Sequence, residues 1–263
     1  MDCCICGGKG EYWGTRYGLD YVKCKCGLIY CDPAPTPEAL AAYYSSSYFD
    51  DNHYDDDPQR KEMYDIEIRE LVLFKRSGKF LDVGCAVGRF LEALPDRFTK
   101  AGVEYSEHAA KIGRQRGLMI FTGELNKVDL PNRYFDMVQW RGSLEHSQSP
   151  YDDLVRSRTI LKDDGILKIC QLPNIGGLCG KLYKTRFNQF KPGGEHLYFF
   201  TPDTITKLLN KAGFKVLQMS FPYLGTPYAS PVKDMARFFI NLATGKENPA
   251  FWGNMISLYA AKT

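Results

Sequence analysis

No run of eighteen apolar residues occurs anywhere in the 263-residue chain, which argues against a membrane-spanning helix. The start, M-D-C-C-I-C, lacks the basic residues and apolar core of a secretory signal, so a cytoplasmic setting is expected. Excess charge is small: 34 Lys and Arg against 31 Asp and Glu leave a formal +3, too little to imply a nucleic-acid partner. There is no internal repeat and no low-complexity tract, so repeat architectures are excluded. Histidine is scarce at four residues. Cysteine is nearly absent after residue 31, where only Cys85, Cys170 and Cys179 remain of the nine.

What is present centres on K-F-L-D-V-G-C-A-V-G-R-F-L, residues 79–91. Phe80, Leu81 and Val83 read as a buried parallel strand, Gly84 and Gly88 as a turn, and Val87–Leu94 as a helix stopped by Pro95. In such sheets ligands sit outside the carboxyl ends of the strands. The two glycines would let backbone approach a ligand, and the helix start would offer N–H groups to a carboxylate. Asp82 gives no advantage to a pyrophosphate loop, but it suits a ligand carrying an ammonium or sulfonium group.

The strand–helix rhythm continues. Thr99–Val103 reads as a second strand ending in Glu104, an acid placed about twenty residues beyond the glycine loop, where ribose hydroxyls would be bound. Leu118–Thr122 is a third strand, followed by Gly123-Glu124-Leu125. Phe135–Trp140 and Gly165–Cys170 follow as fourth and fifth, with a helix over Tyr151–Leu161 between them. The chain length allows one large α/β domain plus a small appendage.

That appendage is the cysteine-rich start. Cys3, Cys4, Cys6, Cys24, Cys26 and Cys31 fall within the first 31 residues. In a reducing compartment, thiols clustered this way suit a structural zinc better than disulfides. Cys3-x-x-Cys6-Gly7 and Cys24-x-Cys26-Gly27 supply the set Cys3, Cys6, Cys24 and Cys26. Because the second pair is C-x-C, Cys31 and Cys4 stay open as alternatives for the fourth ligand. Tyr12–Tyr17 and Leu28–Tyr30 read as ribbon strands too few to build a core without a metal.

Residues 32–75 join the two parts. Three prolines precede a short helix from Pro37-Glu38 capped by Thr36. Tyr43, Tyr44, Tyr48 and Phe49 form an aromatic cluster before the acidic run 50–57, serving as a packed hinge or as walls over a ligand. Pro58–Lys75 is a probable amphipathic helix. The expected organisation is therefore a zinc ribbon at 1–31, a linker and helical cap at 32–75, and the main domain at 76–263.

D-V-G-C-A-V-G resembles motif I of the class I S-adenosylmethionine-dependent methyltransferases, close to D-x-G-x-G-x-G, with Ala86 in place of the middle glycine. The segments F-D-M-V, L-E-H-S-Q-S-P, L-K-D-D-G-I-L, L-P-N and H-L-Y-F-F-T-P-D-T-I-T-K-L-L-N-K-A-G-F resemble landmarks of a group that includes quinone and sugar methyltransferases. The cysteine ribbon joined to P-x-P-T-P-E-x-L-A-x-Y-Y is similar to the start of deoxysugar C-methyltransferases, although their large C-terminal domain has no counterpart here. The resemblance implies a Rossmann-like, doubly wound, seven-stranded sheet with a small zinc-binding ribbon. It implies S-adenosylmethionine contacts from Asp82, Gly84, Cys85, Gly88, Glu104, Tyr105, Glu124, Leu125 and Trp140.

Methyl transfer needs donor and acceptor aligned and, for a hydroxyl acceptor, a proton removed. His146 follows the fourth strand in L-E-H. Glu195 and His196 lie in the long connection after the fifth, and that pair resembles the catalytic region of the sugar C-methyltransferases, though Gly193-Gly194 stand where a tyrosine is usual. His146, Glu195 and His196 are thus the catalytic candidates, while His53 and His108 have no comparable context. Lys181, Lys184, Arg186 and Lys191 read first as a solvated face, and alternatively as a grip on an anionic acceptor. The stretch 221–248, with three prolines and a helix-like D-M-A-R-F-F-I-N-L, could line the acceptor site or a subunit contact.

The reading favoured is methylation of a small molecule, most simply a hydroxyl of a sugar or related metabolite in free, phosphorylated or nucleotide-linked form. A sugar C-methyltransferase and an rRNA methyltransferase are the enzymatic alternatives, the latter opposed by the weak charge and the lack of an N-P-P-Y-type motif. A non-catalytic zinc-ribbon interaction protein is opposed by the intact loop acids and glycines. A nicotinamide dehydrogenase is disfavoured because the loop is not G-x-G-x-x-G.

Overall fold

A computed structural model of the chain describes residues 1–43, 57–193 and 195–263. Tyr44, Tyr48, Phe49, His53, nearly all of the acidic run and Gly194 lie outside the described residues. The ribbon strands are Gly10–Arg16 (β1), Leu19–Cys24 (β2) and Ile29–Cys31 (β3), paired antiparallel in that order. Tyr17 and Gly18 turn between the first two with positive φ, the twist-compatible form of a two-residue hairpin. The helix Pro37–Tyr43 (α1) starts where expected, with Thr36 Oγ1 accepting from Ala39 N at 3.2 Å. Pro58–Phe74 (α2) is likewise capped by Asp57, which accepts from Gln59 N at 3.0 Å.

The main sheet contains Gly78–Val83 (β4), Phe98–Glu104 (β5), Met119–Thr122 (β6), Phe135–Arg141 (β7), Leu161–Pro173 (β8), Phe214–Ser220 (β10) and Met255–Lys262 (β11). Its order is β10-β11-β8-β7-β4-β5-β6, seven strands as expected. Strands β8 to β6 are parallel, and β11 runs antiparallel to both neighbours. Phe80, Leu81 and Val83 are almost wholly buried, as befits a strand covered on both faces. The chain runs from β4 outward through β5 to β6 and returns to β7 on the other side of β4. That reversal opens the crevice in which doubly wound sheets bind ligands.

Two boundaries differ from the sequence reading. The helix after the glycine loop is only Arg89–Ala93 (α3), because Gly88 sits at φ 83 and caps it instead of belonging to it. Strand β8 starts at Leu161, not Gly165. Leu161 pairs with Phe135 and Ile166 with Met137, so residues 162–165 loop out of an otherwise continuous ladder.

The sheet is flanked by α2, α3, Glu107–Gln115 (α4), Pro150–Ile160 (α5) and Pro202–Lys211 (α7), the last capped reciprocally by Thr201 and Thr204. Leu178–Tyr183 (α6) lies in the connection after β8, and Pro231–Thr244 (α8) in the insertion between β10 and β11. Tyr198–Phe199 (β9) pairs with β3 and completes a four-stranded sheet with the ribbon. Tyr21 meets Phe190 edge-on at 4.7 Å between ring centroids, and Phe190 stacks on Phe199 at 4.0 Å. One apolar core therefore runs from Tyr21, Leu28 and Tyr30 into the main domain.

Candidate active site

Two cavities open at the carboxyl ends of β4 and β7, and both are bordered by Gly84, Ala86, Gly142 and His146. Gly84 has φ 75, and a Cβ there would stand 2.5 Å from that of Ser143, whose hydroxyl donates to Val83 O at 2.6 Å. The crossing from β4 to the turn after β7 leaves no room for a side chain. Ala86 also occupies the left-handed region, at φ 49, a conformation that ordinarily calls for glycine. Its N–H is held by Glu104 Oε2 at 2.9 Å.

The first cavity is lined by Glu104, Tyr105, Glu124, Leu125 and Trp140 of the expected residues. Glu104 Oε1 also accepts from Ser106 N at 2.8 Å, so this buried carboxylate ties the glycine loop to the start of α4 while facing the cavity. Burial pushes its pKa up, against the backbone N–H groups that lower it. Glu124 pairs with Lys127 at 2.7 Å, and Trp140 Nε1 donates to Ser157 Oγ at 3.1 Å. Leu40 of α1 closes one side. Sequence reasoning missed Asp153, whose Oδ1 is buried with no partner among the described residues and whose Oδ2 accepts from Ser147 at 2.5 Å. In the run S-P-Y-D-D it reads only as a helix-start acid.

The second cavity takes Asp82 and Gly84 from the glycine loop, Arg60 and Tyr64 from α2, Arg141 and Gln171 from the strand ends, and Tyr228 from the insertion. It also gathers all three catalytic candidates, His146, Glu195 and His196, together with Glu145. The imidazoles of His146 and His196 lie edge to face at 4.7 Å between centroids, and His146 Nε2 is 3.8 Å from Glu145 Oε1. Burial lowers the His146 pKa to about 4 and pushes that of His196 well below the ordinary value. Both imidazoles are thus neutral at pH 7. Burial raises Glu145 to about 8 and Asp82 to about 7, the latter against one hydrogen bond from Gln139 at 3.2 Å. Below the cavity Glu67 holds Arg141 at 2.7 Å and Gln171 at 2.8 Å. Burial acts to raise the Glu67 carboxyl, but the Arg141 and Lys168 charges outweigh it and leave it below the ordinary range.

Two of the residues expected at the cofactor also have packing roles. Gly88 borders neither cavity; a Cβ there would lie 2.2 Å from Leu118 Cδ1, so this glycine serves helix–strand packing. Cys85 contributes backbone to the rim, but its sulfur packs where Gly102 leaves space, at 2.4 Å from a Cβ built on that glycine. The basic residues at 181, 184, 186 and 191 line neither cavity; Arg186 donates to Asn241 O and Lys246 O. Lys191 nevertheless lies close enough to His196 for its charge to lower that imidazole's pKa, and Arg60, Arg89 and Arg141 are the cations that line the second cavity.

The model of a methyltransferase domain matches residues 57–219, most of the chain. The chain belongs to that family. A 1,6-didemethyltoxoflavin-N1-methyltransferase of Burkholderia thailandensis, solved with its substrate and S-adenosylhomocysteine, has a similar fold, with TM-score 0.58 at 17% identity over 96% of this chain and 99% of that one. Magnesium protoporphyrin IX methyltransferase of Synechocystis, solved with S-adenosylhomocysteine, gives 0.59 at 15% identity over 87% and 100%. An uncharacterised protein of Methanocaldococcus jannaschii is 24% identical over 58% of this chain and 72% of its own length. The enzyme is an S-adenosylmethionine-dependent methyltransferase.

In this methyltransferase the cysteine cluster is compact. The ligand atoms of Cys3, Cys6, Cys24 and Cys26 all lie within 4.8 Å of one another, with Cys3–Cys26 at 3.5 Å and Cys6–Cys24 at 3.3 Å between sulfurs. Cys4 and Cys31 stand apart from the set; Cys31 turns its sulfur to Pro33 O. Backbone N–H groups of Ile5 and Cys6 face the Cys3 sulfur, that of Leu28 faces Cys26, and that of Gly8 lowers Cys6 to about 7. Four sulfurs so arranged, with N–H groups directed at them, fit a tetrahedral divalent metal. The ribbon also reaches the active site. Cys31 N donates to Leu197 O, and Leu197 N donates to Glu145 O, both at 2.9 Å.

Proposed function

We propose that this methyltransferase modifies a hydroxyl of a small polar acceptor, a sugar or related metabolite, in the cavity of His146 and His196. The observation that carries this is the junction of the two cavities at Gly84, Ala86, Gly142 and His146. S-adenosylmethionine supplies a methyl group already activated on sulfonium. The residues suited to hold it are Asp82 for the ammonium, Glu104 for the ribose, and Glu124, Leu125 and Trp140 for the adenosine side. The acceptor side is polar, with Arg60, Arg141, Gln171, Gln189 and Tyr228 placed to orient hydroxyl or anionic groups. His196, or His146, takes the hydroxyl proton. Zinc on Cys3, Cys6, Cys24 and Cys26 stabilises the ribbon, and through Leu197 the ribbon fixes the chain beside His196.

Incubation with S-adenosylmethionine labelled in its methyl group and a panel of free and nucleotide-linked sugars tests the substrate class. Label recovered as a sugar methyl ether is expected. Label on a sugar carbon favours C-methylation, and label only in RNA contradicts the proposal.

Asp82 gives a pH test of the cofactor site. An ammonium requires the ionised carboxylate, and burial raises this one to about 7. S-adenosylhomocysteine affinity should therefore rise on the order of tenfold between pH 6 and pH 8, and Asp82→Asn should remove that slope. Calorimetry that finds the same slope in the variant assigns it to another group.

A further inference from the structure

We infer that Glu145, His146 and His196 form a second metal site, taking a divalent transition-metal cation in the acceptor cavity. The inference rests on the proposed function and names how that site recognises its acceptor. The carboxylate and imidazole donor atoms of the three residues all lie within 4.8 Å of one another, the same spacing as in the ribbon's cysteine set. Two polar atoms of these residues are buried and, among the described residues, lack a hydrogen-bond partner: Glu145 Oε2 and His196 Nδ1, in residues 2% and 7% exposed. A buried polar atom without a partner costs free energy, and a cation among these three groups would supply the positive charge that their carboxylate and imidazole lack.

The frame is built to hold the donors together. Glu145 and His146 share one turn of 3-10 helix after β7, and His196 comes from the connection after β8. The Leu197 N–H to Glu145 O hydrogen bond at 2.9 Å pins one to the other. A cation about 2.1 Å from each donor draws them to a separation of about 3.3 Å, a movement that side-chain rotation supplies.

Two nitrogens and one carboxylate suit zinc, iron(II), manganese or cobalt better than magnesium. Three protein ligands leave positions open toward the cavity. Those positions fit two neighbouring oxygens of one acceptor, a vicinal diol or a hydroxyl beside a carbonyl. With the metal bound, coordination lowers the pKa of the hydroxyl and its proton leaves to water, the histidines acting as ligands; their role as base belongs to the metal-free site.

Titration of the purified protein with cobalt(II) alone tests this without reference to activity. One equivalent is expected to bind with visible bands of nitrogen–oxygen ligation and without sulfur-to-cobalt charge transfer. Proton resonance should show two paramagnetically shifted imidazole N–H signals. Glu145→Gln and His196→Asn should each weaken that equivalent at least tenfold, whereas Lys181→Ala, outside both cavities, should leave it intact. A wild-type protein that binds S-adenosylhomocysteine but gives no such spectrum overturns the metal site and leaves the methyltransferase reading standing. Equal cobalt binding by His196→Asn also overturns it. Loss of S-adenosylhomocysteine binding in the wild type, by contrast, would count against the function itself.

Discussion

His196→Ala is expected to lower turnover by about 10²–10⁴-fold while S-adenosylhomocysteine binding stays within about threefold. The imidazole stands in the acceptor cavity, 4.7 Å from that of His146 between ring centroids, and away from the cavity that Glu104 and Trp140 line. His146→Ala should mainly raise the apparent Michaelis constant of the acceptor if that residue only orients it. The acid limb of the rate profile should also be displaced. A histidine at its ordinary pKa loses basic function below about 6.5, but burial moves His146 to about 4 and His196 in the same direction. At saturating cofactor and without added metal, activity should therefore persist toward pH 5 until protonation disables the site. If neither alanine variant loses more than about threefold at saturating acceptor, transfer proceeds by alignment alone.

The second large effect is expected from the ribbon. Cys6→Ser removes a ligand on the exposed side of the cluster without touching the acceptor cavity. Loss of the metal should melt the ribbon, whose strands lack a core of their own. Because β3 pairs with β9 and Cys31 N donates to Leu197 O at 2.9 Å, the damage should travel. Hydrogen exchange should lose protection over residues 10–31 and 197–200 together, and turnover should fall tenfold or more. The cofactor cavity is farther from that pairing, so S-adenosylhomocysteine affinity should change little. Full turnover in a metal-free ribbon would show that the ribbon does not position His196.

The parts legible in the sequence were those that rest on local pattern. The strand, glycine turn and acid of residues 80–104 follow from an apolar run, two glycines and the spacing to Glu104. The cysteine set followed from two short spacings, and contact among the sulfurs selected Cys26 over Cys4 and Cys31. What stayed hidden depends on non-local pairing. Tyr198–Phe199 carries no signal that it completes a sheet begun more than 160 residues earlier. Glu145 was overlooked because the neighbouring histidine drew the chemical reading of L-E-H. Its burial depends on Leu197 and the ribbon beyond it. The packing role of Gly88 stayed hidden because a glycine near a ligand loop and a glycine under a neighbouring side chain look alike until Leu118 is placed. Arg141 closes an apolar strand, and the buried Glu67 at 2.7 Å together with the Tyr64 ring explains how a guanidinium is tolerated there.

Calorimetric titration of the wild-type chain with S-adenosylhomocysteine, repeated on Glu104→Ala, tests the central claim most directly. Micromolar binding is expected for the wild type. The variant should lose an order of magnitude or more, since hydrogen bonds to a charged group contribute roughly 1.5–3 kcal/mol each and Glu104 also secures the Ala86 N–H at 2.9 Å. No binding by the wild-type chain would contradict the account.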